Sequence, residues 1–66
     1  MSVAKVVEIS ATSPDSFEDA VRQGIAKASE TVRNIQGAWV KEHYASVENG
    51  SVTEFQVILK ITFVLE

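Results

Sequence analysis

Three side chains in this chain have the chemistry to meet a flat aromatic partner: Trp39, Gln56 and His43. Trp39 is the only tryptophan, and its ring is the largest apolar surface a 66-residue chain possesses. An offset stack between aromatic rings contributes on the order of 0.5–1.5 kcal/mol beyond the area it buries. Gln56 carries a donor and an acceptor on one amide. His43 has no readable nucleophile or substrate partner, which a general base requires. The carboxylates Glu8, Glu42, Glu48 and Glu54 are scattered; they suit a solvated face, or the lining of a channel that holds cations. No phosphate loop, nucleophile elbow or paired-carboxylate motif occurs, so the chain reads as a non-enzyme with no catalytic residue.

Each of these residues also has a plain reading. Trp39 suits a subunit contact, because aromatic residues are enriched at interface cores. Gln56 suits a buried amide satisfied by backbone or by a neighbouring subunit. His43 suits a surface or interface position. Which reading holds depends on the elements that carry them.

The chain predicts one domain over 1–66, ordered strand, helix, strand, strand. Val3 to Ser10 is rich in valine and isoleucine, with Val3, Lys5, Val7 and Ile9 on one face. Both faces carry apolar groups, so both are expected to be covered. Ser13 is the expected N-cap, with Pro14 at the first helical position, where a missing N–H costs nothing. Asp15, Glu18 and Asp19 lie near the positive end of the helix dipole. Phe17, Ala20, Val21, Gly24, Ile25, Ala28, Val32 and Ile35 recur at helical spacing and form one stripe. The helix is expected to end between Asn34 and Gly37, either of which can take a left-handed conformation.

From Ala38 the apolar period becomes two. Asn49-Gly50 predicts a type I′ hairpin, which needs positive φ at both central residues. A regular ladder from that turn pairs Glu48 with Ser51, Tyr44 with Phe55, His43 with Gln56, Glu42 with Val57, Lys41 with Ile58, Val40 with Leu59, Trp39 with Lys60 and Ala38 with Ile61. Phe55, Val57, Leu59, Ile61, Phe63 and Leu65 then make an apolar comb facing the helix. Trp39, His43 and Gln56 share the opposite face, where no helix covers them. A bulge near the turn would invert one strand relative to the other. Glu42 falls on the core side of the regular ladder, a place for a carboxylate only at the helix margin or at a subunit contact.

Composition narrows what could cover the bare face. A domain this short buries only about 60% of the surface its unfolded chain exposes, and small domains compensate with disulfides, metals or oligomerisation. There is no cysteine and one histidine, which removes disulfides and a structural zinc site. Oligomerisation remains. The net charge of −3 and the scattered basic residues argue against nucleic acid. No stretch approaches the roughly 18 apolar residues of a membrane span, and Met1 to Ile9 lacks the core of a signal peptide. A soluble, cytoplasmic protein is the expectation.

The order β-α-β-β, the Thr-Ser-Pro helix start, the stretch Gly37-Ala38-Trp39-Val40-Lys41-Glu42, the turn Val47-Glu48-Asn49-Gly50 and the ending Phe55 to Glu66 resemble the dodecins, small flavin-binding proteins of archaea and bacteria. The resemblance spans nearly the whole chain. It implies an α+β fold in which a long antiparallel sheet wraps one amphipathic helix, assembled as a hollow homododecameric shell. It implies that flavins bind as stacked pairs between tryptophans of two subunits, with a last-strand glutamine on the flavin's polar edge, for storage and quenching. Carried over by position, Trp39 is similar to the stacking residue and Gln56 to the hydrogen-bonding one, with His43 beside it. Two departures stand out. Tryptophan usually lies three residues before the valine, where this chain has Gly37; the shift of two moves the ring by about 6–7 Å along the strand. Members that bind a flavin phosphate often carry arginine where Val64 stands. Riboflavin is therefore expected over FMN or FAD. The alternative is the same shell without flavin, holding an ion or another small aromatic ligand.

Overall fold

A computed structural model describes residues 2–65. Strand β1 runs Val3–Ser13, helix α1 Phe17–Ala28, strand β2 Ile35–Glu48 and strand β3 Ser51–Leu65. The strands form one antiparallel sheet in the order β1-β3-β2. The expected α+β architecture is what the chain adopts. At 14 and 15 residues, β2 and β3 make a hairpin that stretches the molecule to 51 Å along its longest axis.

The centre of the sheet is the comb on β3. Val57, Leu59 and Ile61 are completely buried, as is Ala20 of α1. Val7, Ile9, Ala11, Phe17, Val21, Ile25, Ala28 and Ile35 close around them. The helix lies across β1 and β3. It comes so near the sheet at Gly24 that a Cβ there would stand 3.0 Å from both Ala11 Cβ and Leu59 Cδ1. Only a residue without a side chain fits that approach.

The helix start differs from expectation. Ser16, not Ser13, is the N-cap, and its side chain accepts from Asp19 N at 2.9 Å. Ser13 instead ends β1, paired with Phe55, and is buried. Its Oγ accepts from Asp15 N at 2.9 Å and donates to Asp19 Oδ2 at 2.6 Å. Pro14 therefore lies in the turn, outside the helix. The sequence offers two serines three residues apart; sheet pairing claims the first and leaves the second to cap.

The helix exit is also earlier than expected. The helix closes at Ala28, with Ser29 as C-cap. Val32 lies beyond it, and Ile35 reaches the core from the first position of β2. Asn34 takes the left-handed conformation, with φ 62°, while Gly37 is part of β2. The hairpin turn is as read: Asn49 and Gly50 have φ of 53° and 78°, the signs a type I′ turn needs.

The ladder between β2 and β3 is where regular pairing fails. Near the turn Glu48 pairs with Ser51 and Val47 with Val52, but Ser46 then pairs with Glu54, leaving Thr53 as an extra residue on β3. Further on, Glu42 pairs with Ile58 and Val40 with Leu59, leaving Lys41 as an extra residue on β2. The two bulges offset each other. Outside them the register is the expected one from Gly37 to Val40, including Trp39 with Lys60 and Ala38 with Ile61, until a third irregularity at Gln36 sets Ile35 beside Phe63. Between them, Glu42 to Ser46 are turned over. A one-residue slip exchanges the two faces of a strand, so Glu42 leaves the core side, and Tyr44 with it.

Candidate functional site

The face of the sheet away from α1 is built from alternate residues of all three strands. Val6, Glu8, Ser10 and Thr12 lie on β1, opposite Thr62, Lys60, Ile58 and Gln56 of β3. On β2 the same rows continue with Gly37 beside Thr62, Trp39 beside Lys60, Glu42 beside Ile58 and Tyr44 beside Gln56. Trp39 is 64% exposed and Tyr44 63%. No element of the chain covers either ring.

Trp39 and Gln56 are thus on one face, as the sequence predicts. Their rows are four residues apart along β3, about 13 Å at strand spacing, with Ile58 between. Gln56 is half-buried, and its Nε2 donates to Ser10 Oγ at 2.7 Å. That bond fixes the amide plane, and among the described residues its carbonyl oxygen remains an open acceptor. Thr62 Oγ1 donates to Gly37 O at 3.1 Å, tying down the backbone two residues before the indole. The bulged Lys41 reaches across the sheet to Glu8, with Nζ 3.4 Å from Oε1. A bulge is a common way to re-aim a side chain, and here it puts an ion pair beside Trp39.

His43 is not beside Gln56 in the ladder. It pairs with Val57 on the helix side of the sheet. Its ring meets Phe17 edge-on, with centroids 4.8 Å apart and planes at 87°. Phe17 in turn meets Phe55 at 5.0 Å and 77°. His43 thus joins an aromatic cluster at the start of α1. The residue that takes the row of Gln56 is Tyr44, which regular pairing had put under the helix. The misplaced Glu42 was the available signal: a carboxylate on the core side of a ladder asks for a bulge on each side of it.

A depression of about 430 Å³ opens at this row, lined by Glu42, His43, Tyr44, Gln56 and Ile58. It has an apolar floor at Ile58, an aromatic wall and one amide. Such a site suits a planar ring with hydrogen-bonding atoms at one edge. Among the described residues no group of three or more His, Asp or Glu is placed to hold a metal ion. No helix among the described residues is long and apolar enough to cross a membrane.

The sequence pattern of the Dodecin family matches residues 3–66. Dodecin from Thermus thermophilus is 36% identical over 64 residues, covering 97% of this chain and 93% of its own. Calcium dodecin from Mycobacterium tuberculosis is 33% identical over 63 residues, covering 96% and 89%. Among solved structures, dodecin from Streptomyces coelicolor superposes with a TM-score of 0.92 at 37% identity, over 98% of this chain and 93% of that one.

Proposed function

The chain belongs to the dodecin family, and from that premise we propose that it stores and quenches flavins of the riboflavin type. The ligands bind as stacked pairs between Trp39 rings of neighbouring copies, in the cytoplasm, within a homododecameric shell. Gln56 holds the polar edge of each flavin, whose C=O and N–H lie side by side and match an amide's acceptor and donor. His43 borders the same depression, with its ring turned to Phe17 on the helix side. No catalytic step is assigned.

The observation that carries this reading is the exposure of Trp39 on the face opposite the helix. Burying an aromatic ring of about 150–250 Å² is a large fraction of what a small domain gains on folding. A chain that leaves its one indole in water is built to cover it with something else. Stacking partners and copies of the same face both do so. Val64 supplies no charge for a phosphate, which supports riboflavin over FMN or FAD.

The test is a titration. Riboflavin added to the purified protein is expected to lose its fluorescence at a fixed stoichiometry. Trp39→Ala is expected to weaken binding at least about tenfold, the equivalent of 1.4 kcal/mol, while particle size is unchanged. Full quenching in that variant overturns the stacking assignment.

A second reading rests on the M. tuberculosis relative, whose name is calcium dodecin. On this reading the shell holds an ion, and carboxylates of neighbouring copies together supply its ligands, since among the described residues no three of one chain are placed to do so. Calorimetry with calcium separates the two: calcium binding with no riboflavin quenching supports the ion reading.

A further inference from the structure

The paired bulges bring Glu42 and Tyr44 to a place that regular pairing denies them. In an unbroken ladder both face the helix. In the structure they flank the row of Gln56 on the open face. Tyr44 is directly beside Gln56, and Glu42 is one row away, beside Ile58. Glu54 is one row away on the other side, beside Ser46. Among the described residues neither the Tyr44 hydroxyl nor the Glu42 carboxylate has a hydrogen-bond or ion-pair partner, and both border the 430 Å³ depression. The two cations of this face lie toward its Trp39 end, with Lys60 one row from Glu42. Lys41 is engaged with Glu8, and Lys60 lies two rows from Gln56, beside Trp39.

We propose that Tyr44 and Glu42 complete the Gln56 end of the ligand site and make it select uncharged planar heteroaromatic rings over phosphate-bearing ones. The inference rests on the flavin reading above. Tyr44 supplies an aromatic surface at the Gln56 end, four residues along the sheet from Trp39, where it meets the polar end of a tricyclic ring whose face is stacked on Trp39. Glu42 supplies the selection. Rows are spaced about 6–7 Å, and like charges at that distance in water disfavour binding by about threefold each. A phosphate monoester carries nearly two negative charges, so one carboxylate at this range opposes it by up to about tenfold.

The experiment measures dissociation constants for riboflavin and for FMN by fluorescence quenching, with particle size followed by light scattering. Wild-type protein is expected to prefer riboflavin by about tenfold. Glu42→Gln is expected to cut that preference at least about threefold, chiefly by improving FMN binding, and the difference between the proteins is expected to shrink at high ionic strength. Tyr44→Leu is expected to weaken riboflavin by about tenfold, and Tyr44→Phe to stay within about threefold of wild type. A Tyr44→Leu chain that fails to assemble leaves the Glu42→Gln ratio as the deciding measurement. Equal affinity of the wild type for both flavins overturns the inference, as does an unchanged ratio in Glu42→Gln, and the flavin reading survives either result. A wild-type protein that quenches neither flavin overturns the flavin reading itself, and the inference falls with it.

Discussion

Two aromatic rings on this small chain are almost two-thirds exposed, and a third ring that sequence spacing puts with them is not in their company. Trp39 and Tyr44 stand on the open face, whereas His43 turns to Phe17. The difference is one of register, and it has separable consequences. An edge-on aromatic contact contributes on the order of 0.5–1.5 kcal/mol. His43→Ala is therefore expected to lower the unfolding free energy by about 1 kcal/mol, read from denaturant curves, while riboflavin affinity stays within about twofold of wild type. A variant that keeps its stability and loses flavin would return His43 to the ligand site.

At the scale of elements, the paired bulges make a claim about Glu42 that stability alone can test. Fully burying an aliphatic side chain in place of leaving it exposed contributes about 1.5–3 kcal/mol. If Glu42 faced the core, Glu42→Ile would stabilise the protein by that order. With Glu42 on the outer face, the substitution is expected to change stability by less than about 0.5 kcal/mol. The helix offers two further tests. Gly24→Ala drives a methyl to 3.0 Å from Ala11 and Leu59, and overpacking of that kind costs about 1–3 kcal/mol. Ser16→Ala removes the cap and is expected to cost about 1 kcal/mol. The earlier serine has a different task, since Ser13 binds the Asp19 carboxylate from a buried position. Unfolding curves of Ser13→Ala and Ser16→Ala in parallel distinguish the two roles, because only Ser16→Ala leaves the Ser13–Asp19 bond intact.

On the scale of the whole molecule, the helix covers β1 and β3 and leaves β2 largely bare. Val40 pairs with buried Leu59 yet is itself exposed, and Val6, Val47 and Val52 are exposed as well. An exposed apolar surface spread over both sides of a long hairpin marks an interaction site. In the proposed shell, assembly and folding are one equilibrium. The unfolding midpoint is expected to rise with protein concentration, as it does for any obligate oligomer. Light scattering at working concentration is expected to give a mass about twelve times the 7.2 kDa of one chain. A particle of single-chain mass with a concentration-independent midpoint would remove the shell, and the stacked pair with it.

The β-α-β-β order, the Asn49-Gly50 turn, the comb on β3 short of its exposed last member Leu65, and the face shared by Trp39 and Gln56 were legible in the sequence, because each follows from a local rule: a period of two, a turn that requires positive φ, and a stripe that must be buried. The capping serine was not legible, since Ser13 and Ser16 satisfy the same rule and only strand pairing with Phe55 chose between them. Nor was the company of Gln56. Each bulge costs one unpaired residue, and nothing local marks Lys41 or Thr53 as that residue. What fixes them is a balance across the whole hairpin: Val57 and its comb must stay under the helix, Glu42 must leave it, and the turn must keep its register. Only a folded sheet can meet all three conditions at once, and in meeting them it exchanged His43 for Tyr44.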